Sequence, residues 1–116
     1  MEEQIHTGEG CTKSLMAVRD TLDVVSGKWK LPIIIALKDG PKRFNELERL
    51  VAGISPKLLS KELRDLEVNE FVTRTVYPTT PVKIEYALTD YSDTLSKVIE
   101  EMRHWGIQHR KRITGK

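Results

Sequence analysis

Two short helical segments joined by a tight turn constrain the fold of this chain more than any other feature. The first is predicted over about residues 45–51 and ends at Ala52-Gly53, where glycine permits a sharp change of direction. The second is predicted to begin with Ser55 as its N-cap and Pro56 in its first turn, and to run to about Asn69. Two helices joined in this way form a helix-turn-helix candidate. The side chains of the first helix expected to point inward are Phe44, Leu47, Leu50 and Val51.

The segment that follows these two helices is predicted to form a β-hairpin. Residues 71–77 are rich in Val, Thr and aromatic side chains, and residues 82–88 alternate between apolar and polar side chains. Both patterns are typical of strands. Pro78-Thr79-Thr80-Pro81 separates the two segments and provides a polar turn that the two prolines stiffen.

Three further helices are predicted around this unit. Apolar residues recur at intervals of three and four over residues 12–25, which indicates an amphipathic helix. A helix that begins near Lys30 and ends at Asp39-Gly40-Pro41 is apolar nearly all round, and it is expected to be the buried central helix. The last helix is predicted to begin near Asp90 and to run past Trp105. The predicted fold is therefore a winged helix-turn-helix, mainly α-helical with a small β-hairpin wing and an extra helix at each end.

Length and composition favour one small globular domain. The chain has 116 residues, of which 39% are hydrophobic and 31% are charged, so it has enough apolar side chains for a modest core. We expect a mobile tail over residues 1–10, the winged helix-turn-helix domain with its terminal helices over residues 11–109, and a basic tail over residues 110–116.

The sequence lacks the motifs of the common enzyme and membrane classes. It contains no phosphate loop, dinucleotide fingerprint or nucleophile elbow, and its longest apolar run is too short to span a membrane. The three histidines are scattered, so no metal site or other cofactor is expected. Cys11 is the single cysteine, which excludes an internal disulfide and favours the reducing cytoplasm. These features predict a binding module rather than an enzyme.

The charge of the helix predicted from Ser55 to about Asn69 points to a nucleic-acid partner, although the net charge of +2 does not. At about 100° per residue, Leu59, Leu63 and Leu66 define a core face. The side chains predicted on the opposite face are Lys57, Lys61 and Arg64, with Ser60 at its edge. The flanks carry Glu62, Asp65 and Glu67. Cationic donors and a short hydroxyl are what a helix that contacts phosphates and guanine edges requires. The alternative is an ordinary solvated helix face.

The hairpin adds further basic side chains near its tip. Arg74 and Lys83 are placed to flank the turn, where a wing would meet the DNA backbone or the minor groove, although ordinary strand solvation explains them equally well. Lys42 and Arg43 precede the helix predicted over about residues 45–51 and are weaker candidates for phosphate contacts.

Several motifs resemble those of the HxlR-type bacterial transcription regulators, which are related to the MarR type. They are Cys11, Gly27-Lys28-Trp29, residues 40–47 (GPKRFNEL), residues 53–60 (GISPKLLS), residues 63–67 (LRDLE), residues 72–74 (VTR), residues 81–86 (PVKIEY) and Leu88-Thr89. The resemblance covers about Cys11 to His109, nearly the whole chain. It implies a homodimeric, cytoplasmic winged-helix protein that binds pseudo-palindromic promoter DNA.

The resemblance also implies which residues face DNA. Lys57, Ser60, Lys61 and Arg64 would face the major groove, and residues 78–81 would form the wing tip. The complete set of candidate DNA-binding residues is Ser55, Lys57, Ser60, Lys61, Arg64, Arg74, Thr79, Thr80 and Lys83. The operator, the regulated genes, the inducer and the sign of regulation are not encoded in these residues. The alternative function is a winged-helix module for protein interaction without specific DNA binding.

The terminal helices carry more apolar surface than a small core is expected to cover. The candidate dimerisation residues are Leu15, Met16, Tyr91, Leu95, Val98, Met102 and Trp105. The alternative is that these side chains pack on their own domain. Some members of the family are similar to redox or electrophile sensors that use a cysteine at the position of Cys11; the alternative is a small buried residue in the dimer seam. Here Thr12 follows Cys11 where members commonly have proline, which loosens the start of the helix predicted over residues 12–25.

Overall fold

The computed structural model describes residues 8–116 and contains five α-helices, one 3₁₀ helix and two strands within that range. Their bounds are α1 (Gly8–Val25), α2 (Lys30–Ala36), α3 (Phe44–Leu50), α4 (Pro56–Val68), β1 (Val72–Tyr77), β2 (Lys83–Leu88), the 3₁₀ helix (Asp90–Leu95) and α5 (Ser96–Thr114). This order confirms the predicted winged helix-turn-helix with an extra helix at each end. No helix in the described part of the chain is long and apolar enough to cross a membrane.

The two terminal helices differ from their predicted bounds. Helix α1 begins at Gly8 and thus takes in the end of the predicted N-terminal tail, whose first seven residues lie outside the described part of the chain. The predicted start of the last helix near Asp90 is a 3₁₀ helix capped by Thr89, whose Oγ1 accepts the Ser92 N–H at 3.3 Å. Helix α5 then continues through Thr114 and ends at the left-handed Gly115, so most of the predicted C-terminal tail is helical.

The hairpin is antiparallel and is joined to the segment before α3. Its register runs from Val72 opposite Leu88 to Tyr77 opposite Lys83. Lys42 adds an isolated bridge to Tyr86, with N···O distances of 2.9 and 2.8 Å in the two directions. The sequence does not predict this bridge, because one residue that pairs with a strand produces no alternation of apolar and polar side chains. It fixes the wing to the helix-turn-helix.

The core lies between α2, α3, α4 and the start of β1. Its fully buried side chains are Ile33, Ile34, Leu37, Leu47, Leu59, Leu63, Leu66 and Val72. The expected burial of α2 is confirmed except at Ile35, which is 54% exposed. Leu50 was predicted to face inward and is also exposed, because it lies about 100° round the helix from the buried Val51. Ile35 is exposed because α2 is apolar nearly all round and its neighbours cannot cover its whole surface.

The terminal helices lie largely outside this core. Helix α5 buries none of its side chains, and the C-terminal end of α1 contributes Val25 to the core. The apolar stripe of α1, formed by Leu15, Val18 and Leu22, is about half exposed. Both helices therefore present apolar side chains that their own chain leaves uncovered.

Candidate nucleic-acid interface

The start of α4 is fixed by a side-chain cap. Ser55 has extended backbone angles and its Oγ accepts the Leu58 N–H at 3.2 Å, while Pro56 occupies the first turn, as predicted. The preceding turn contains Gly53 at a φ of +90°, a conformation that favours glycine. This cap determines where α4 begins and hence which of its residues lie opposite the core.

The two faces of α4 are those that the sequence predicts. Leu59, Leu63 and Leu66 are fully buried. The side chains exposed on the other side are Lys57, Ser60, Lys61 and Arg64, and Ser55 is also exposed at the cap. The helix thus directs three cations and a hydroxyl away from the core.

Arg64 and Arg74 line one cleft between α4 and the hairpin. The cleft has a volume of about 340 Å³, and its other lining residues are Ser60, Leu63, Glu67 and Tyr86. Arg74 reaches it because it lies opposite Tyr86 in the hairpin register. Within residues 8–116, neither guanidinium forms an ion pair. Two guanidiniums with free donors can bind a phosphate bidentately, which makes the cleft suitable for a nucleic-acid backbone.

Lys61 differs from the other cations of α4 because it is paired. Its Nζ lies 3.1 Å from Asp65 Oδ2, which in turn lies 3.4 Å from Lys30 Nζ. Lys30 also donates to Glu62 Oε1 at 2.6 Å, and both of these side chains are largely buried. Glu62, which is predicted on a flank of α4, is buried and faces Lys30 of α2. The pairing partner Lys30 was not predicted, although it is the one charged residue of a helix that is otherwise apolar.

The pKa shifts of these groups follow from their contacts. The hydrogen bond from Lys61 is the main cause that lowers the pKa of Asp65 below its ordinary value, and the charge of Lys30 acts in the same direction. Burial alone would lower the pKa of Lys30, but the hydrogen bond and negative charge of Glu62, together with Asp65, raise it above 10.5. Asp65 and Lys30 are therefore both charged at neutral pH.

The side chains at the wing tip are held by local contacts. Lys83 Nζ lies 3.4 Å from Glu85 Oε2 and 5.0 Å from the centre of the Tyr77 ring. Thr79 donates its hydroxyl to the Pro81 carbonyl at 2.8 Å, and Thr80 is exposed. The tip thus presents Lys83 close to a carboxylate rather than as a free cation.

The two basic residues before α3 are in different environments. Lys42 donates to Asp39 Oδ1 at 2.6 Å, and this hydrogen bond lowers the pKa of Asp39. The Arg43 N–H donates to Glu46 Oε1 at 2.8 Å and so caps α3, while the Arg43 side chain is exposed. Arg43 is therefore the better placed of the two for a phosphate contact.

The candidate dimerisation residues differ in how far they are exposed. The exposed ones are Leu15, Met16, Tyr91, Met102 and Trp105, and Val98 is half-buried. Leu95 is buried in the core of its own chain, which corrects its assignment to a partner surface. Trp105 stacks on His109 with ring centres 4.7 Å apart.

Cys11 is exposed in α1. At about 100° per residue it lies on the same side of α1 as Leu15, Val18 and Leu22. Among the described residues, no group of His, Cys, Asp and Glu side chains is arranged to hold a metal ion.

Comparison with known proteins agrees with this geometry. A family model described as "HxlR-like helix-turn-helix" matches residues 24–114. The HTH-type transcriptional regulator YdeP of Bacillus subtilis (strain 168) is 42% identical over 105 residues, which are 90% of this chain and 78% of YdeP.

Two solved structures are similar in both fold and sequence. The redox regulator HypR in its reduced form matches with a TM-score of 0.78 and 39% identity, covering 86% of this chain and 99% of HypR. The reduced form of the transcriptional regulator YodB from B. subtilis matches with a TM-score of 0.74 and 40% identity, covering 79% of this chain and 90% of YodB.

Proposed function

Because this chain belongs to the HxlR-like helix-turn-helix family and is an HTH-type transcriptional regulator, we propose that it binds pseudo-palindromic promoter DNA as a homodimer. The observation that carries this proposal is the cleft that Arg64 of α4 and Arg74 of the hairpin line together, where neither guanidinium forms an ion pair with the described residues. The major groove, about 12 Å wide, admits an α-helix. Helix α4 enters it, and the hairpin follows the adjacent backbone or minor groove.

Each candidate residue has a role in this complex. Lys57, Ser60, Lys61 and Arg64 face the major groove. The residues that meet the backbone at or near the wing are Arg74, Thr79, Thr80 and Lys83, and Ser55 positions α4 through its cap. A regulator with this role acts where the chromosome is, which for a bacterial-type protein is the cytoplasm.

The uncovered apolar side chains of α1 and α5 form the dimer interface in this proposal. Leu15 and Met16 of α1 and Tyr91, Val98, Met102 and Trp105 of the C-terminal part would pack against a second copy. Two-fold symmetry would then place two copies of α4 in successive major grooves, roughly 34–36 Å apart.

DNA binding is tested by titrating the protein against the duplex upstream of its own gene and against a random duplex at several salt concentrations. We expect tighter binding to the upstream duplex and an affinity that falls steeply with salt. Arg64→Ala and Arg74→Ala should each weaken binding by about tenfold or more. Arg103→Ala is the matched control, because Arg103 is an exposed arginine of α5 paired with Glu100.

Two outcomes would contradict this proposal. Equal affinity for the upstream and random duplexes would argue against a specific regulator at that site. Absence of binding at low salt, or indifference to the Arg64 and Arg74 changes, would favour a winged-helix module for protein interaction.

We further propose that Cys11 makes this regulator responsive to oxidants or electrophiles. Its thiol is exposed, and the similar protein HypR is named a redox regulator and has been solved in a reduced and an oxidised form. With one cysteine per chain, the available products are an intersubunit disulfide, a mixed disulfide or an alkylated thiol. An oxidant-treated sample should give a dimer band on a non-reducing gel or an adduct by mass, with altered DNA affinity. The Cys11→Ser variant should give neither, and an unmodified, unaffected wild type would refute sensing.

A further inference from the structure

Four charged side chains form a continuous series from the exposed face of α4 to the core, and we call them the α4 charge chain. They are Lys61, Asp65, Lys30 and Glu62, with successive N···O distances of 3.1, 3.4 and 2.6 Å. Their side-chain exposure falls along the series from 63% to 39%, 15% and 12%. The outer end is thus accessible to a ligand, and the inner end is anchored between α2 and α4.

The outer pair distinguishes Lys61 from the other cations of α4. Within the described residues, Lys57 and Arg64 form no ion pair, whereas Lys61 is bound by the carboxylate four residues further along the helix. A DNA phosphate that binds Lys61 must therefore displace Asp65 or share the ammonium group with it. Asp65 therefore competes with a DNA phosphate for the ammonium group of Lys61.

Lys30 gives the displaced carboxylate a second partner. It already lies within ion-pair distance of Asp65 Oδ2, and its stronger contact with Glu62 holds its ammonium group in place. When Lys61 turns to a phosphate, Asp65 keeps an opposite charge beside it. Its charge is then balanced within the protein and is not left unpaired beside DNA.

We propose that Asp65 restrains Lys61 from DNA phosphates in the free protein and passes to Lys30 when DNA takes Lys61. This inference rests on the proposed DNA-binding function and assigns roles to Asp65 and Lys30, which themselves lie off the DNA-facing side of α4. The pairing lowers the affinity for DNA in general, because phosphate contacts supply nearly all of the non-specific binding energy.

The experiment separates competition for Lys61 from simple charge repulsion. Asp65→Asn and Glu70→Gln each remove one negative charge, from α4 and from just past its end, but Glu70 is exposed and forms no ion pair within residues 8–116, so its loss releases no lysine. Each change is made in the wild type and in a Lys61→Met background, and the dissociation constant for a random-sequence duplex is measured at low salt. Thermal unfolding verifies that every variant is folded, and Asp65→Ala provides a second removal of the carboxylate.

We expect Asp65→Asn to tighten binding by about two- to fivefold more than Glu70→Gln, the range that an exposed ion pair accounts for. In the Lys61→Met background this excess should vanish, while the effect of Glu70→Gln stays the same. An equal effect of Asp65→Asn in both backgrounds would overturn the inference. If the wild type fails to bind the duplex at low salt, the proposed function itself fails.

The role of Lys30 has its own test. The double variant Lys30→Met/Glu62→Met replaces the buried pair with apolar side chains at constant net charge, an exchange that is often neutral for stability. Asp65 then has Lys61 as its one remaining partner in the α4 charge chain, so the effect of Asp65→Asn on DNA affinity should increase. If Asp65→Asn changed the DNA affinity by the same factor in the wild type and in the double variant, Asp65 would not pass to Lys30.

Discussion

Between Lys30 and Leu95, apolar side chains are covered mainly by the protein itself, whereas the apolar side chains of α1 and α5 mostly face solvent. Leu59, Leu63 and Leu66 of α4 are completely buried, while Leu15, Val18 and Leu22 of α1 are about half exposed. The middle region also holds one largely buried ion pair, between Lys30 and Glu62. The corresponding pair of α5, Arg103 and Glu100, is exposed.

This difference indicates that the two regions owe their stability to different contacts. The middle region has a core of its own and can hold α4 and the hairpin in a fixed relation. The terminal helices have an apolar surface that the rest of residues 8–116 leaves exposed, which is typical of an interface. The comparison is tested by making the same chemical change in both regions.

The largest difference is expected for the substitution of a leucine by alanine. Leu66→Ala removes a completely buried side chain and should lower the free energy of unfolding by about 3–4 kcal/mol at every protein concentration. Leu22→Ala removes an exposed side chain and should leave the stability of the monomer within about 0.5 kcal/mol. Denaturant unfolding over a range of protein concentrations measures both. If Leu22→Ala cost as much as Leu66→Ala in dilute protein, α1 would belong to the core of the single chain.

The next difference is expected for the two ion pairs. Lys30→Met leaves Glu62 buried without its partner and should cost about 2–3 kcal/mol. Arg103→Met breaks an exposed pair and should cost less than about 1 kcal/mol. Unfolding in urea measures both, and a cost for Lys30→Met as small as that for Arg103→Met would show that water reaches the pair.

The same pair predicts how stability depends on pH. The pKa of Lys30 is raised in the folded protein, so its charged form stabilises the fold fully below the unfolded-state value of 10.5. This stability is lost as pH rises through the higher folded-state pKa. The wild type should therefore lose more stability above pH 10.5 than the Lys30→Met/Glu62→Met variant does. If the free energy of unfolding fell equally with pH in the two proteins, Lys30 would not be the cause of the loss of stability at alkaline pH.

The sequence predicts local features of this protein much better than long-range ones. The Ser55 cap, the turn at Gly53 and the two faces of α4 follow from residues a few positions apart, and the structure has each of them. The pairing of Lys30 with Glu62 joins residues 32 positions apart, and no local pattern indicates it. The exposure of Leu50 was missed for a related reason, since periodicity defines a helix face but not how much of it the neighbouring helices cover.

The smallest difference between the two regions is expected for an exposed side chain of each, and it concerns association rather than folding. Trp105 is 66% exposed on α5 and stacks on His109, so it offers a large apolar surface to a second copy. Large aromatic side chains dominate interface energies, and Trp105→Ala should weaken the dimer by about 2 kcal/mol, or about thirtyfold in its dissociation constant. Val68→Ala is the control, because Val68 is 76% exposed in the middle region. Sedimentation equilibrium measures both, and equal dissociation constants for the two variants would place the partner surface away from α5.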